Sequence, residues 1–178
     1  MLKIDTHAHY LPRDWPDLAA KYGDIRFPVI HHGDDGRSRI YKDGKFFREI
    51  WPKTWDPKIR IDEFAEFGVQ VQVLSTVPVM FSYWAKPQHA HDLHQALNDH
   101  MAEAVRDFPR HYAGIGTVPL QSPRLAIQEL ERCIDQLGLQ VVQIGSHIND
   151  WNLDAAELFD FFQAASELGA AILVHPWD

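Results

Sequence analysis

Apolar residues along this chain fall into two alternating rhythms: short, nearly continuous runs, and longer stretches with a three-to-four period. The runs cover residues 2–8, 69–77 (VQVQVLSTV), 112–120 (YAGIGTVPL), 139–147 (LQVVQIGSH) and 170–175 (AAILVH), and they read as strands. The stretches between them read as helices. Residues 56–67 carry Ile59, Phe64 and Phe67 among charges, and 87–108 carry Leu93, Leu97, Met101, Ala104 and Val105. Residues 123–137 carry Leu125, Leu130, Ile134 and Leu137, and 153–168 is equally periodic. Ser122-Pro123 is a cap followed by proline at the first helical position. Gly68, Gly138 and Gly169 each stand just past a helix, where a left-handed residue is wanted.

Strands that alternate with helices imply parallel pairing, because a parallel neighbour needs a crossover and a helix supplies it. The later strands are apolar along most of their length, as burial on both faces requires. The first unit differs. About fifty residues separate its strand from the helix at Asp56, and Asp43-Gly44 lies between two strand-like segments, a hairpin signal. Residues 26–50 are therefore read as a small β insertion over one end of the sheet. Five parallel strands with four helices suit either an open doubly wound sheet or part of an eight-stranded barrel. A full barrel takes about 250 residues, so the fold class expected is α/β, a partial (β/α)8 barrel of about five strands in one domain spanning 1–178. Because the chain stops at His175-Pro176-Trp177-Asp178, directly after a buried-type strand, it is read as the N-terminal part of a longer protein. The open apolar edge would leave it marginally folded on its own.

Composition narrows the class. The chain has 178 residues and a net charge of −8, which argues against nucleic acid or an anionic membrane as partner. Its single cysteine, Cys133, excludes a disulfide framework or a multi-cysteine zinc site and is read as core. No apolar run reaches the ~18 residues of a membrane span, and the first residues lack the layout of a signal peptide. The expectation is a cytoplasmic protein.

Histidine is abundant, with 11 residues, and position separates them. His7 and His9, two apart at the end of the first strand, point to one face. Taken alone, such a pair equally suits two half-buried, hydrogen-bonded imidazoles. His175 closes the fifth strand, and the C-terminal strand ends are where active sites of this architecture lie. Three histidines at such ends favour zinc, or another divalent ion such as iron, cobalt or manganese. His89, His91, His94 and His100 read as a solvated helix face, and His31-His32 as loop surface.

Asp5-Thr6-His7-Ala8-His9, with a histidine ending the fifth strand, resembles the amidohydrolase superfamily. Longer stretches (74–87, Lys42–Arg48, Trp55-Asp56-Pro57, 142–147 and 175–178) are similar to its 2-amino-3-carboxymuconate-6-semialdehyde decarboxylases. The resemblance implies that His7, His9 and His175 are metal ligands, joined by an aspartate on strand eight, with a strand-six histidine as acid/base. It implies that Arg48, a surface hairpin charge by local reading alone, is a catalytic and carboxylate-binding arginine. It also implies a metal-dependent, zinc-type carboxy-lyase of tryptophan catabolism. The substrate would be a small carboxylated muconate semialdehyde, and the full-length protein a homodimer. Met80, Phe81, His147 and Trp177 are substrate-pocket candidates, with core packing the other reading for Met80 and Phe81. Strands six to eight have no counterpart here, so the chain by itself is expected to be inactive. The alternatives are a related enzyme acting on another aromatic or muconate acid, and an inactive metal-binding module.

Overall fold

The computed structural model describes residues 1–177. Its main sheet has five parallel strands, β1 (Ile4–His9), β5 (Val71–Ser75), β6 (Tyr112–Thr117), β7 (Val141–Gly145) and β10 (Ala171–His175), in the order β1-β5-β6-β7-β10. Helices α2 (Pro57–Ala65), α3 (Pro87–Asp107), α4 (Pro123–Asp135) and α5 (Phe159–Glu167) make the crossovers. Five strands in sequential order form the partial barrel expected from the pattern, with β1 and β10 as its two edges. Interior β7 is buried along nearly all its length, whereas β10 is half exposed.

Residues 26–50 form a separate antiparallel sheet, β2 (Val29–His32), β3 (Ser38–Lys42) and β4 (Lys45–Ile50). The β3–β4 turn is Asp43-Gly44, with φ of +55° and +68°. A two-residue hairpin of this twist needs two left-handed residues, which Asp and Gly supply at low cost. His31 and His32 are exposed as expected, but they belong to β2 rather than to a loop. A short helix that the apolar pattern does not announce, α1 (Leu18–Tyr22), leads into the insertion; Asp17 caps it by accepting from the Ala20 amide.

The segment read as one helix over 153–168 is broken. Two-residue strands β8 (His147–Ile148) and β9 (Trp151–Asn152) pair around a turn at Asn149 (φ +51°), and a 3₁₀ turn at Ala156–Leu158 precedes α5. Leu158 and Phe161 are still buried, so the apolar period is kept while the turn removes the first part of the helix. Two apolar cores result. One lies between the sheet and α3–α5 and includes Leu74, Met101, Leu130, Val142 and Phe161. The other lies under the insertion and joins Leu11, Phe27, Ile40 and Met80 to Leu93 and Leu97 of α3.

His91 and His94 correct the reading of α3. Both are buried, His94 completely, because the helix turns them toward the sheet and α4 rather than toward solvent.

Candidate metal centre

β1 and β10 stand at opposite ends of the sheet order, yet barrel curvature brings their C-terminal ends together. His7, His9 and His175 each offer a ring nitrogen, and the three lie within 4.8 Å of one another. Ring centroids are 5.0 Å apart for His7–His9, 5.1 Å for His7–His175 and 5.4 Å for His9–His175. The Nε2 atoms of His7 and His9 are 3.2 Å apart. Two nitrogens on a tetrahedral ion at zinc distances would be roughly 3.3 Å apart. His175 Nδ1–H donates to the Pro176 carbonyl at 2.7 Å, which leaves its Nε2 as the free electron pair, the arrangement that orients a ligating imidazole. Burial, then the neighbouring His7, His175 and Arg48, bring the His9 pKa down to about 4. It is therefore neutral at physiological pH, the form that binds a metal. The residues present fit a divalent cation.

Strand β1 changes register at this point. Asp5 pairs with Gln72 and Ala8 with Leu74, so Thr6 and His7 together oppose Val73. Such a bulge re-aims a side chain beside a site.

A cavity of about 410 Å³ opens beside the histidines and is lined by His9, Arg48, His175 and Trp177, with Val77 and Val79 as apolar wall. Arg48 reaches it from β4, which sets a guanidinium at the mouth; among the described residues no carboxylate pairs with it. Trp177 leans on Phe81 and Tyr83, at centroid distances of 5.4 and 5.9 Å. The backbone beneath is tight. A Cβ on Gly145 would come 3.1 Å from both Trp177 Cγ and Tyr83 Cε2, and the Gly145 amide donates to Tyr83 Oη at 3.0 Å.

The structure thus brings together His7, His9, His175, Arg48 and Trp177. It does not bring Met80, Phe81 or His147 into the cavity lining. Met80 and Phe81 are fully buried, because the 3₁₀ turn at Pro78–Met80 folds them into the two cores while Val77, Pro78 and Val79 take the lining positions. His147 pairs with Asn152 in the β8–β9 hairpin. Lining residues that sequence reasoning missed are Lys42 and Phe47, which flank the turn whose Asp-Gly signal was read. Arg60, 5% exposed on α2, was missed as well, although a charge between Ile59 and Ile61 marks it.

The same architecture occurs in solved structures. 5-Carboxyvanillate decarboxylase LigW from Sphingomonas paucimobilis matches at TM-score 0.75 and 24% identity, covering 98% of this chain and 52% of that one. Dihydroxybenzoic acid decarboxylase from Polaromonas sp. JS666, solved with manganese and the inhibitor 2-nitroresorcinol, matches at TM-score 0.72 and 22% identity, over 99% and 50% of the two chains. Likeness at that identity is a likeness of fold. Sequence relatives are nearer. The 2-amino-3-carboxymuconate-6-semialdehyde decarboxylase of Dictyostelium discoideum is 50% identical over 177 residues, 99% of this chain and 49% of its own length. That of Caenorhabditis elegans is 31% identical over 225 residues, 99% of this chain and 56% of its own length. The chain spans about half the length of these relatives. With the amidohydrolase family model matching residues 4–178, which takes in all three converging histidines, the chain belongs to the amidohydrolase family.

Proposed function

We propose that this chain carries the metal-binding and carboxylate-binding part of a metal-dependent decarboxylase. Its substrate would be 2-amino-3-carboxymuconate 6-semialdehyde and its products 2-aminomuconate 6-semialdehyde and carbon dioxide. The observation that carries this reading is the convergence of His7, His9 and His175 beside a cavity that also holds a guanidinium, Arg48. The identity to the Dictyostelium and nematode decarboxylases supports the substrate class. In this reading His7, His9 and His175 hold zinc, for which three neutral imidazoles are a suitable donor set. When bound, the ion supplies Lewis acidity and an activated water at working pH. The protein's own groups do the rest. Arg48 holds a substrate carboxylate and stabilises the negative charge left on the conjugated framework as carbon dioxide departs. Trp177, Val77 and Val79 wall off water on one side. Residues 1–178 form a single partial barrel domain, carrying the small β insertion, of the complete enzyme, which acts in the cytoplasm as a homodimer.

The test has two arms. The complete protein, stripped of metal, takes up about one equivalent of zinc, read by emission spectroscopy after desalting, and its His175→Ala variant retains none. Full occupancy in that variant refutes the ligand assignment. In the complete protein, Arg48→Ala lowers kcat/KM by about 10²-fold or more, as loss of a charged group bonded to a developing anion does. A substrate panel with 5-carboxyvanillate and γ-resorcylate separates the related-enzyme reading: preferred turnover of either aromatic acid sinks the muconate assignment.

A further inference from the structure

Below the histidines a chain of polar groups runs through the interior. Arg60 is 5% exposed and Gln72 3%. Arg60 Nε donates to Gln72 Oε1 at 2.9 Å and Nη1 to the Lys53 carbonyl at 2.8 Å. At its other end Gln72 donates through Nε2 to Asp5 Oδ2 at 2.9 Å, while Asp5 Oδ1 accepts from the His7 backbone amide at 3.3 Å. A buried guanidinium and a carboxylate are thereby joined through one amide, whose polarity is set by its ends: the oxygen must face the cation and the nitrogen the anion.

The location is specific. Asp5 and Gln72 are the last regular pair before β1 slips out of register at Thr6-His7. A bulged residue loses its place in the ladder, and here the His7 amide is met by the Asp5 carboxylate instead. Anchoring of α2 would account for the bond from Arg60 to Lys53 and the Phe64 ring 5.2 Å from the guanidinium. It does not account for an amide bridge ending on the backbone of His7. We infer that the Arg60–Gln72–Asp5 relay is a positioning device that holds the β1 bulge and so sets the spacing at which His7 and His9 grip a divalent cation. This rests on the metal-centre reading and deepens it.

The experiment uses the complete protein, stripped of metal and titrated with cobalt(II), whose visible absorption reports coordination geometry. Gln72→Leu, Gln72→Glu and Asp5→Asn each weaken cobalt binding about 10- to 100-fold, the usual effect of losing a group that orients a ligand, and each changes the absorption bands. Gln72→Glu and Asp5→Asn are nearly isosteric, so they carry the test if Gln72→Leu fails to fold. Arg60→Met added to Asp5→Asn gives little further loss, because both act through one relay. A purely structural role would instead lower the unfolding midpoint and leave the spectrum alone. Unchanged affinity and bands in Gln72→Glu and Asp5→Asn overturn the relay and leave the metal centre standing. A wild-type complete protein that binds no cobalt overturns both.

Discussion

At the scale of single residues, histidine shows both what a sequence reveals and what it hides. His7, His9 and His175 were legible because they lie at the C-terminal ends of strands, His7 two residues before the His9 that closes β1, and a strand's alternation says which way its side chains face. His91 and His94 were not: on a helix with buried neighbours on two sides, a polar residue gives no sign of which side it takes. His94 lies wholly inside, its Nε2–H donating to the Phe81 carbonyl at 2.9 Å. Burial, with His91 nearby, lowers its pKa to about 4 from 6.5, against some support from the backbone of Phe81 and of Thr117. The unfolded chain therefore binds the proton first, and stability is lost as pH falls from about 6.5 toward 4. The drop expected from His94 is on the order of 3 kcal/mol, at ~1.4 kcal/mol per unit. Urea unfolding of the metal-free chain between pH 7 and 4 measures it. His94→Gln, which keeps a donor for Phe81 and does not titrate, should flatten that dependence; an unaltered slope would assign the acid sensitivity elsewhere.

Among elements, strand and helix order came from periodicity, and the β3–β4 hairpin from two residues that tolerate positive φ. What joins the helices did not. Leu125 and Leu130 mark the inner face of α4, yet Glu129 beside them is also completely buried. Its carboxylate accepts from Asn98 Nδ2 of α3 at 2.7 Å and from Arg132 Nη2 and Nε at 2.7 and 3.0 Å. Asn98 in turn pairs twice with the Thr117 backbone, at 2.8 Å each way, so α3, α4 and β6 meet at one polar knot. A buried anion of this kind is costly to form and costlier to break. Glu129→Ala should destabilise the chain by about 3–5 kcal/mol, seen as a lower urea midpoint at unchanged slope. Glu129→Gln, which keeps an acceptor for Asn98, should cost less. Equal losses would mean that the charge, removed in both variants, matters here rather than the packing volume or the acceptor. A glutamate with an arginine three positions on looks like a solvent-facing pair in sequence, and only the neighbouring helix makes it an interior one.

For the molecule as a whole, partial closure was legible from arithmetic, since five strands with an insertion cannot complete a barrel of eight. Its consequence is physical. In a closed barrel every strand has two neighbours and an outer helix; in this chain β1 and β10 each lack a strand on one side, among the described residues. Val174 is 45% exposed, and Ile4 of β1 and Phe159 of α5 are 46% and 65% exposed. An open, apolar edge of this kind recruits other strands. The 178-residue chain studied alone should therefore associate as its concentration rises, as read by light scattering or sedimentation. Val174 and His175 point to opposite faces of β10, so the two properties can be separated. Val174→Lys places a charge on the outer face and removes one valine from any contact there, worth ~1.5 kcal/mol or more, so association should weaken roughly tenfold. Metal uptake should stay at the wild-type level, because His175 keeps its place. Should Val174→Lys lose its metal together with its association, the histidine cluster would depend on contact between chains, and the convergence seen within one chain would no longer suffice to explain binding.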